Sequence, residues 1–317
     1  MIRSGRTAAT TLGLVAAAGV AAFVWGVAVE RNRFTVRHEL LSVLEPGARP
    51  LTILHLSDLH MAPWQTAKQE FVRALARYEP DLIVDTGDNL GHLDGLHGIE
   101  RAFEAFAGIP GVFVHGSNDY VGPVFKNPLA YFGGPSLHNP REPELDTAAL
   151  ERYFTDHLGW LDLNNTARAM EINGTRIELF GTADAHRDWD RLDLVPGAIE
   201  SMRENVGWSE KTRDEVLSLG VTHAPYRRVL DALTNQGAEL ILAGHTHGGQ
   251  VRIPGLPALV TNSDLPRSQA SGLSRWHTPT HEAYLNVSAG LGTSIYAPVR
   301  FSCPPEAVVL TLTAAAA

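Results

Sequence analysis

The chain of 317 residues has one cysteine, Cys303, so no intrachain disulfide can form and a cysteine-rich zinc module is excluded. Basic residues are also few: 26 Lys and Arg stand against 35 Asp and Glu, a net charge of −9. Nucleic-acid affinity comes mostly from Lys and Arg neutralising phosphates, so no nucleic-acid partner is expected. No internal repeat is visible. Hydrophobic residues are not scarce: at 44% the chain can bury a full core, which excludes disorder. The 14 histidines are the unusual feature, and their placement matters more than their number.

Charge is missing altogether between Arg6 and Glu30, where the run is TAATTLGLVAAAGVAAFVWGVAV. A helix needs about 20 apolar residues to cross the hydrocarbon layer, so residues 1–30 read as an N-terminal transmembrane helix, a single-pass anchor in the cell membrane. A secretory signal cut near Gly26-Val27-Ala28 is the alternative. A buried core helix is a third reading, opposed by the lack of a polar stripe at helical spacing. Arg3 and Arg6 precede the run and Arg31, Arg33 and Arg37 follow it, a near tie by the positive-inside rule. We take the remainder of the chain to lie outside. Residues 31–50 are expected to be a linker, and 51–317 a single domain.

Within that domain, LTILHLS at 51–57 reads as a buried strand ending at Asp58. Residues 66–79 read as a helix with Phe71, Val72, Leu75 and Ala76 on one face, stopped by Pro80. A second strand lies in DLIVDT at 81–86. The spacing of Ile99, Ala102, Phe103, Phe106 and Ala107 predicts another helix, and GVFVH at 111–115 a third strand. This alternation implies a largely parallel sheet. From about 120 to 147 the pattern breaks into an insertion with five prolines and the aromatics Tyr120, Phe125, Tyr131 and Phe132. It reads either as a surface excursion or as a lid over a site. Asn173-Gly174 predicts a type I′ hairpin. Short strands are expected at 215–221, 238–243, 283–287 and 307–312.

Ligand-capable side chains recur just past these apolar runs: Asp58-Leu59-His60, Gly87-Asp88-Asn89, Gly116-Ser117-Asn118-Asp119, Thr222-His223 and Gly244-His245-Thr246-His247-Gly248-Gly249. Strand C-terminal ends are where sites form in open α/β sheets. Each piece alone has a plainer reading: a capping Asp beside a surface His, a Gly-Asp turn, a core histidine at 223. Their ordered combination points to two divalent cations, which together neutralise phosphoryl oxygens and supply hydroxide near neutral pH. Mixed imidazole and carboxylate donors suit Mn, Fe or Zn better than Mg or Ca.

On the strings DLH at 58–60, GDN at 87–89, GSND at 116–119, THAP at 222–225 and GHTHGGQ at 244–250, the sequence resembles the calcineurin-like metallophosphoesterases. Within them it looks most like the bacterial membrane-associated branch of phosphodiesterases and UDP-diacylglucosamine pyrophosphohydrolases. The tail NVSAGLGTS with PVRFSCPPE is similar to that branch too.

The resemblance implies a four-layer α/β/β/α sandwich with Asp58, His60 and His247 on one metal, Asp88 bridging, and His223 and His245 on the other. It also implies a phosphorylated small-molecule or lipid substrate, split at a phosphodiester or pyrophosphate bond. Asn89, Arg300, Asp184 and His186 are candidate substrate-binding residues, although a surface arginine and a plain loop are the simpler readings of the last three. The family pattern at the third motif is G-N-H-D or G-N-H-E, whereas this chain has G-S-N-D, which removes the protonatable His. Asn118 and Asp119 are the candidate catalytic pair, with Asn118 also the expected ligand; the alternative leaves Ser117 as a weak ligand. A non-catalytic metal-binding scaffold or sensor on the same fold is the competing reading, opposed by retention of both Asp and all four His. A metallo-β-lactamase type of hydrolase would need H-x-H-x-D-H, which is absent.

Overall fold

The computed structural model describes residues 13–14, 16–125, 134–136, 141–207 and 216–314. Among the described residues twelve strands form two six-stranded sheets. In chain order the first sheet takes β1 (Thr35–Leu44), β2 (Leu51–Leu56), β3 (Leu82–Asp85), β4 (Gly111–Phe113), β5 (Leu161–Asp162) and β12 (Glu306–Ala314), arranged β1-β12-β2-β3-β4-β5. The second takes β6 (Thr166–Ile172), β7 (Thr175–Thr182), β8 (Val216–Thr222), β9 (Leu240–Ala243), β10 (Gly272–His277) and β11 (Glu282–Val287), arranged β10-β11-β9-β8-β7-β6. Both are mixed: β2, β3, β4 and β5 run parallel while β12 opposes β2, and β7, β8, β9 and β11 run parallel between antiparallel edges.

Parallel strands covered on both faces are largely apolar, as in the runs LTILHL, LIVD and LILA, where His55 and Asp85 are the buried polar exceptions. One face of each sheet meets the other: Ile53, Leu82, Val84 and Val112 pack with Ile177, Leu219, Val221 and Leu242. Against the first sheet's outer face lie α1 (Thr66–Ala74), α2 (Gly95–Phe103) and α3 (Thr147–Arg152), through Val72, Ile99, Phe103 and Leu150. The second is covered by α4 (Val195–Val206) and α5 (Arg227–Asn235), through Ile199, Met202, Val229 and Leu233. The result is an α/β/β/α stack. Phe103 is fully buried, so truncating it to Ala should cost about 3–5 kcal/mol.

The helix expected to stop at Pro80 runs as α1 and a 3₁₀ turn, Leu75–Tyr78, and ends on left-handed Glu79. Asn173 and Gly174 both have positive φ, as a type I′ turn requires, joining β6 to β7.

Two expectations are corrected. The supposed linker at 31–50 contains β1, which pairs in parallel with β12 and buries Leu41 and Leu44 between the sheets. The N-terminal anchor is not supported either. Among the described residues no helix is long and apolar enough to cross a membrane. Residues 16–24 are α-helical, but the helix then loosens into a π turn, Trp25–Val29, and tightens into a 3₁₀ turn, Glu30–Asn32, with Gly26 buried against Arg300. Residues 1–12 and 15 of that run lie outside the described residues. So do 126–133 and 137–140 of the insertion, including Tyr131 and Phe132, and residue 215 of an expected strand.

Candidate metal centre

Strands β2, β3 and β4 of one sheet and β8, β9 and β11 of the other end at the same place, and the candidate ligands sit in the turns that follow. Backbone bonds join these turns: Asp58 N–H donates to Gly87 O, His60 N–H to Asp88 O, and Met61 N–H to Asn89 O. Across the sheets, His245 N–H donates to Asp58 Oδ2 at 2.9 Å, and Ser57 Oγ donates to the same oxygen at 2.6 Å. Turning each side chain inward requires an uncommon backbone. Asp58, His60, Asp88, His245 and His247 have φ of 50°, 41°, 58°, 68° and 49°. Non-glycine residues in such conformations cost roughly 1–3 kcal/mol each and persist only where the surroundings enforce them. Gly116 has to be glycine for a different reason: a Cβ there would run into Asp88 Oδ1 and the His223 ring.

One atom from each of Asp58, His60, Asp88 and His247 lies within 4.8 Å of all the others. His247 Nδ1–H donates to Gly292 O at 3.2 Å, so its Nε2 carries the lone pair. That lone pair faces His60 Nε2 at 3.1 Å and Asp58 Oδ1 at 3.5 Å. Asp58 Oδ1 is buried and has no hydrogen-bond partner. Without an ion the two imidazoles share one proton between their Nε2 atoms; a cation in its place would be met by both nitrogens and by the unpartnered Asp58 Oδ1.

A second group adjoins it through Asp88. His223 Nδ1–H donates to Thr86 O at 2.7 Å, leaving Nε2 turned to Asp88 Oδ2 at 3.5 Å. His245 Nε2–H donates to Asn262 O at 3.0 Å, and its Nδ1 lies 3.3 Å from His223 Nε2. Asn118 donates to Asp88 from both its backbone N and its Nδ2, at 2.7 Å each. Ser117 is buried, but among its hydrogen bonds none joins its hydroxyl to this cluster. The carbonyls of Thr86, Asn262 and Gly292 therefore fix which imidazole nitrogens point inward, as outer-shell acceptors do around metals.

The electrostatics agree with that reading. Burial lowers His60 to about 4 and takes His245 and His247 well below the ordinary imidazole value, so all three are neutral and able to donate to a metal. Burial pushes Asp58 up to about 6, with the Asp88 charge adding to it. Burial also opposes ionisation of Asp88, but His223, His60 and the Asn118 N–H outweigh it and hold that carboxyl well below its usual range. Burial pulls His223 down too, yet Asp88, Asp184 and Asp58 lift it to about 9. The cluster demands positive charge at its centre.

Asp184 and His186 lie at the edge of the second group. The Asp184 Oδ1 accepts from His186 N–H at 2.8 Å, its buried Oδ2 has no hydrogen-bond partner, and the His186 ring is 4.5 Å from that of His245. Three other expectations need correction. Arg300 is fully buried and its guanidinium donates to the carbonyls of Ala289, Gly290, Gly292 and Cys303, so it braces loops and cannot reach a substrate phosphate. Asn89 is fully buried, with its Nδ2 bonded to Asp85 Oδ1 and its Oδ1 without a hydrogen-bond partner, so it lies within the turn and not on the surface. Asp119 is buried and accepts from the backbone N–H groups of Asp88, Asn89, Leu90 and Gly116, so it clamps the second and third motifs together. Sequence reasoning missed Lys68, whose buried Nζ donates to Leu59 O at 2.6 Å, between ligand candidates Asp58 and His60. A lysine on an amphipathic helix gives no signal of such a role.

The family model for calcineurin-like phosphoesterases matches residues 51–249. The chain belongs to that family. It is a phosphoester hydrolase, and the cluster of Asp58, His60, Asp88 and His247 is a plausible metal-binding group of the kind such enzymes use. The Bacillus subtilis uncharacterized protein YpbG is 26% identical over 94% of this chain and 94% of its own. The uncharacterized metallophosphoesterase YkoQ of the same organism is 25% identical over 83% and 85%. The Escherichia coli phosphodiesterase YaeI is 25% identical over 87% and 87%.

Proposed function

We propose that this metallophosphoesterase hydrolyses a phosphodiester or a pyrophosphate at a dinuclear centre. In this reading Asp58, His60 and His247 would hold one divalent ion and His223, His245 and Asn118 the other, with the Asp88 carboxylate available to both. The observation that carries it is the convergence of His60 Nε2, His247 Nε2 and the unpartnered Asp58 Oδ1 beside the Asp88 carboxylate. When bound, two such ions, Mn, Fe or Zn by the donor set, neutralise phosphoryl charge and make hydroxide available near neutral pH.

The chain's own groups do the rest. Thr86 O, Asn262 O and Gly292 O hold three imidazoles in the tautomer that faces inward. Asp184 keeps a buried carboxylate oxygen without a hydrogen-bond partner beside the second group, with His186 next to it, and adds negative charge there. Asn118 carries no transferable proton, so the leaving oxygen departs without a general acid, whose help is typically worth ~10²–10⁴-fold. Substrates with good leaving groups, aryl esters or anhydrides, are therefore favoured. Similarity to the Escherichia coli phosphodiesterase YaeI supports the diester class, and the resemblance of the 286–306 tail to the branch of phosphodiesterases and pyrophosphohydrolases keeps anhydrides beside it. The expectation of a lipid substrate leaned on the N-terminal run and on the aromatic insertion, and it is not part of this reading. Assay of the purified protein with Mn²⁺ on bis-p-nitrophenyl phosphate, beside His247→Ala, tests it. Equal rates for the two proteins would remove the dinuclear mechanism.

A further inference from the structure

Glu30 is a buried carboxylate in a segment that the sequence gives no reason to connect with catalysis. Its two oxygens are both engaged: Oε2 accepts from Trp25 Nε1 at 2.8 Å, and Oε1 accepts from the backbone N–H of Cys303 at 2.7 Å. Four residues before it, Gly26 O accepts from Arg300 N–H at 3.2 Å, and a Cβ at Gly26 would lie only 2.7 Å from Arg300 O. The N-terminal segment is thus fitted against the 300–303 loop at two points. Both lead on to His247. The Cys303 thiol donates to His247 O at 3.4 Å. Arg300 Nη2 donates to Gly292 O at 2.7 Å, the same oxygen that takes the His247 Nδ1–H. The Glu30 carboxylate thus holds the backbone of Cys303, whose thiol holds the His247 carbonyl, while the neighbouring Gly26 contact holds Arg300; contacts around a ligating histidine commonly change metal affinity by 10–100-fold.

We propose that Glu30 is a positioning residue for His247, acting through Cys303, so that the N-terminal segment helps set the affinity of the ion on the Asp58–His60–His247 side. This rests on the reading of His247 as a metal ligand. Glutamine at position 30 has a single acceptor oxygen and can satisfy only one of the two donors.

The test is Mn²⁺ binding alone, followed on the full chain by calorimetry and by the electron paramagnetic resonance signal of free Mn²⁺. His247→Ala first identifies which of two binding steps belongs to that imidazole. Glu30→Gln should weaken the same step about tenfold, leave the other unchanged, and melt near wild type in the presence of chelator. Trp25→Phe should weaken that step less, and Glu282→Gln, on the surface pair with Arg275, should match wild type. Wild-type affinity at both steps in Glu30→Gln overturns the proposal, and so does weakening of both steps together with a lowered melting point. Should Glu30→Gln not fold, Trp25→Phe decides, and unchanged binding there overturns it. A wild type that binds no Mn²⁺ overturns the reading of the centre itself and this inference with it.

Discussion

Asn118 donates from its backbone nitrogen to one Asp88 oxygen and from its side-chain nitrogen to the other, at 2.7 Å in both cases. The third motif therefore reaches the shared carboxylate with an amide where its relatives' pattern has an imidazole. An amide can orient the carboxylate but cannot protonate a leaving oxygen. The double substitution Ser117→Asn with Asn118→His restores the G-N-H-D string and should raise kcat/KM on alkyl phosphodiesters by ~10²-fold, with little change on p-nitrophenyl esters. A rate profile that rises equally for both ester classes, or for neither, would show that proton donation is not what this site lacks.

Asp119 looks catalytic from its place in the motif, yet its oxygens are taken by four backbone N–H groups. Asp119→Asn removes the charge and leaves one of the two acceptor atoms. Hydrogen bonds to charged groups are worth about 1.5–3 kcal/mol, so urea unfolding should show a loss of at least about that size. Mn²⁺ affinity should fall with it, because Asp88 and Gly116 are held by the same carboxylate. Full stability with a reduced kcat would instead return Asp119 to the chemistry.

How much of this could be read beforehand follows from what each residue depends on. Asp58, Asp88, His223, His245 and His247 were legible because short buried strands and their glycine turns leave a local record, and the fold places the end of each such strand at one locus. The sheet order was only partly legible. β1 carries Arg37, His38 and Glu39 among its apolar residues, and its partner is β12, some 270 positions away, where Arg37 pairs with Glu306. Nothing local marks it as a strand. The N-terminal run was misread because length and lack of charge say nothing about what Gly26 packs against. Arg300 was misread because its partners are carbonyls, which are identical at every residue.

The carbonyl cage around Arg300 predicts how its replacement will behave. Lysine offers a point charge in place of a planar fork and cannot serve Ala289, Gly290, Gly292 and Cys303 together. Arg300→Lys should therefore lower the melting temperature and weaken Mn²⁺ binding, while KM for substrate at saturating Mn²⁺ stays within about twofold of wild type. A phosphate-binding arginine would show the reverse. A raised KM with unchanged metal affinity would restore the phosphate role.

A final prediction concerns His55, which lies between the sheets and joins β2 to Asn286 of β11. Arg37 Nη1 donates to Asn286 Oδ1 at 3.0 Å, so Asn286 Nδ2 is turned to His55 Nδ1 at 2.8 Å, and His55 Nε2–H is left to donate to Thr86 Oγ1 at 3.0 Å. This chain of donors requires a neutral imidazole, and burial, with Arg37 adding, lowers His55 to about 3. The unfolded chain binds that proton near pH 6.5. Between pH 6.5 and about 3 the unfolded state thus holds one more proton than the folded state at this residue, so its contribution is complete above pH 6.5 and is lost as pH falls. In the presence of chelator, unfolding free energy measured from pH 6 to 4 should fall less steeply in His55→Gln than in wild type, by about 1.4 kcal/mol per pH unit, the slope for one proton. Parallel curves would mean that His55 takes up its proton in the folded protein, and that the Arg37–Asn286 pair does not hold it neutral.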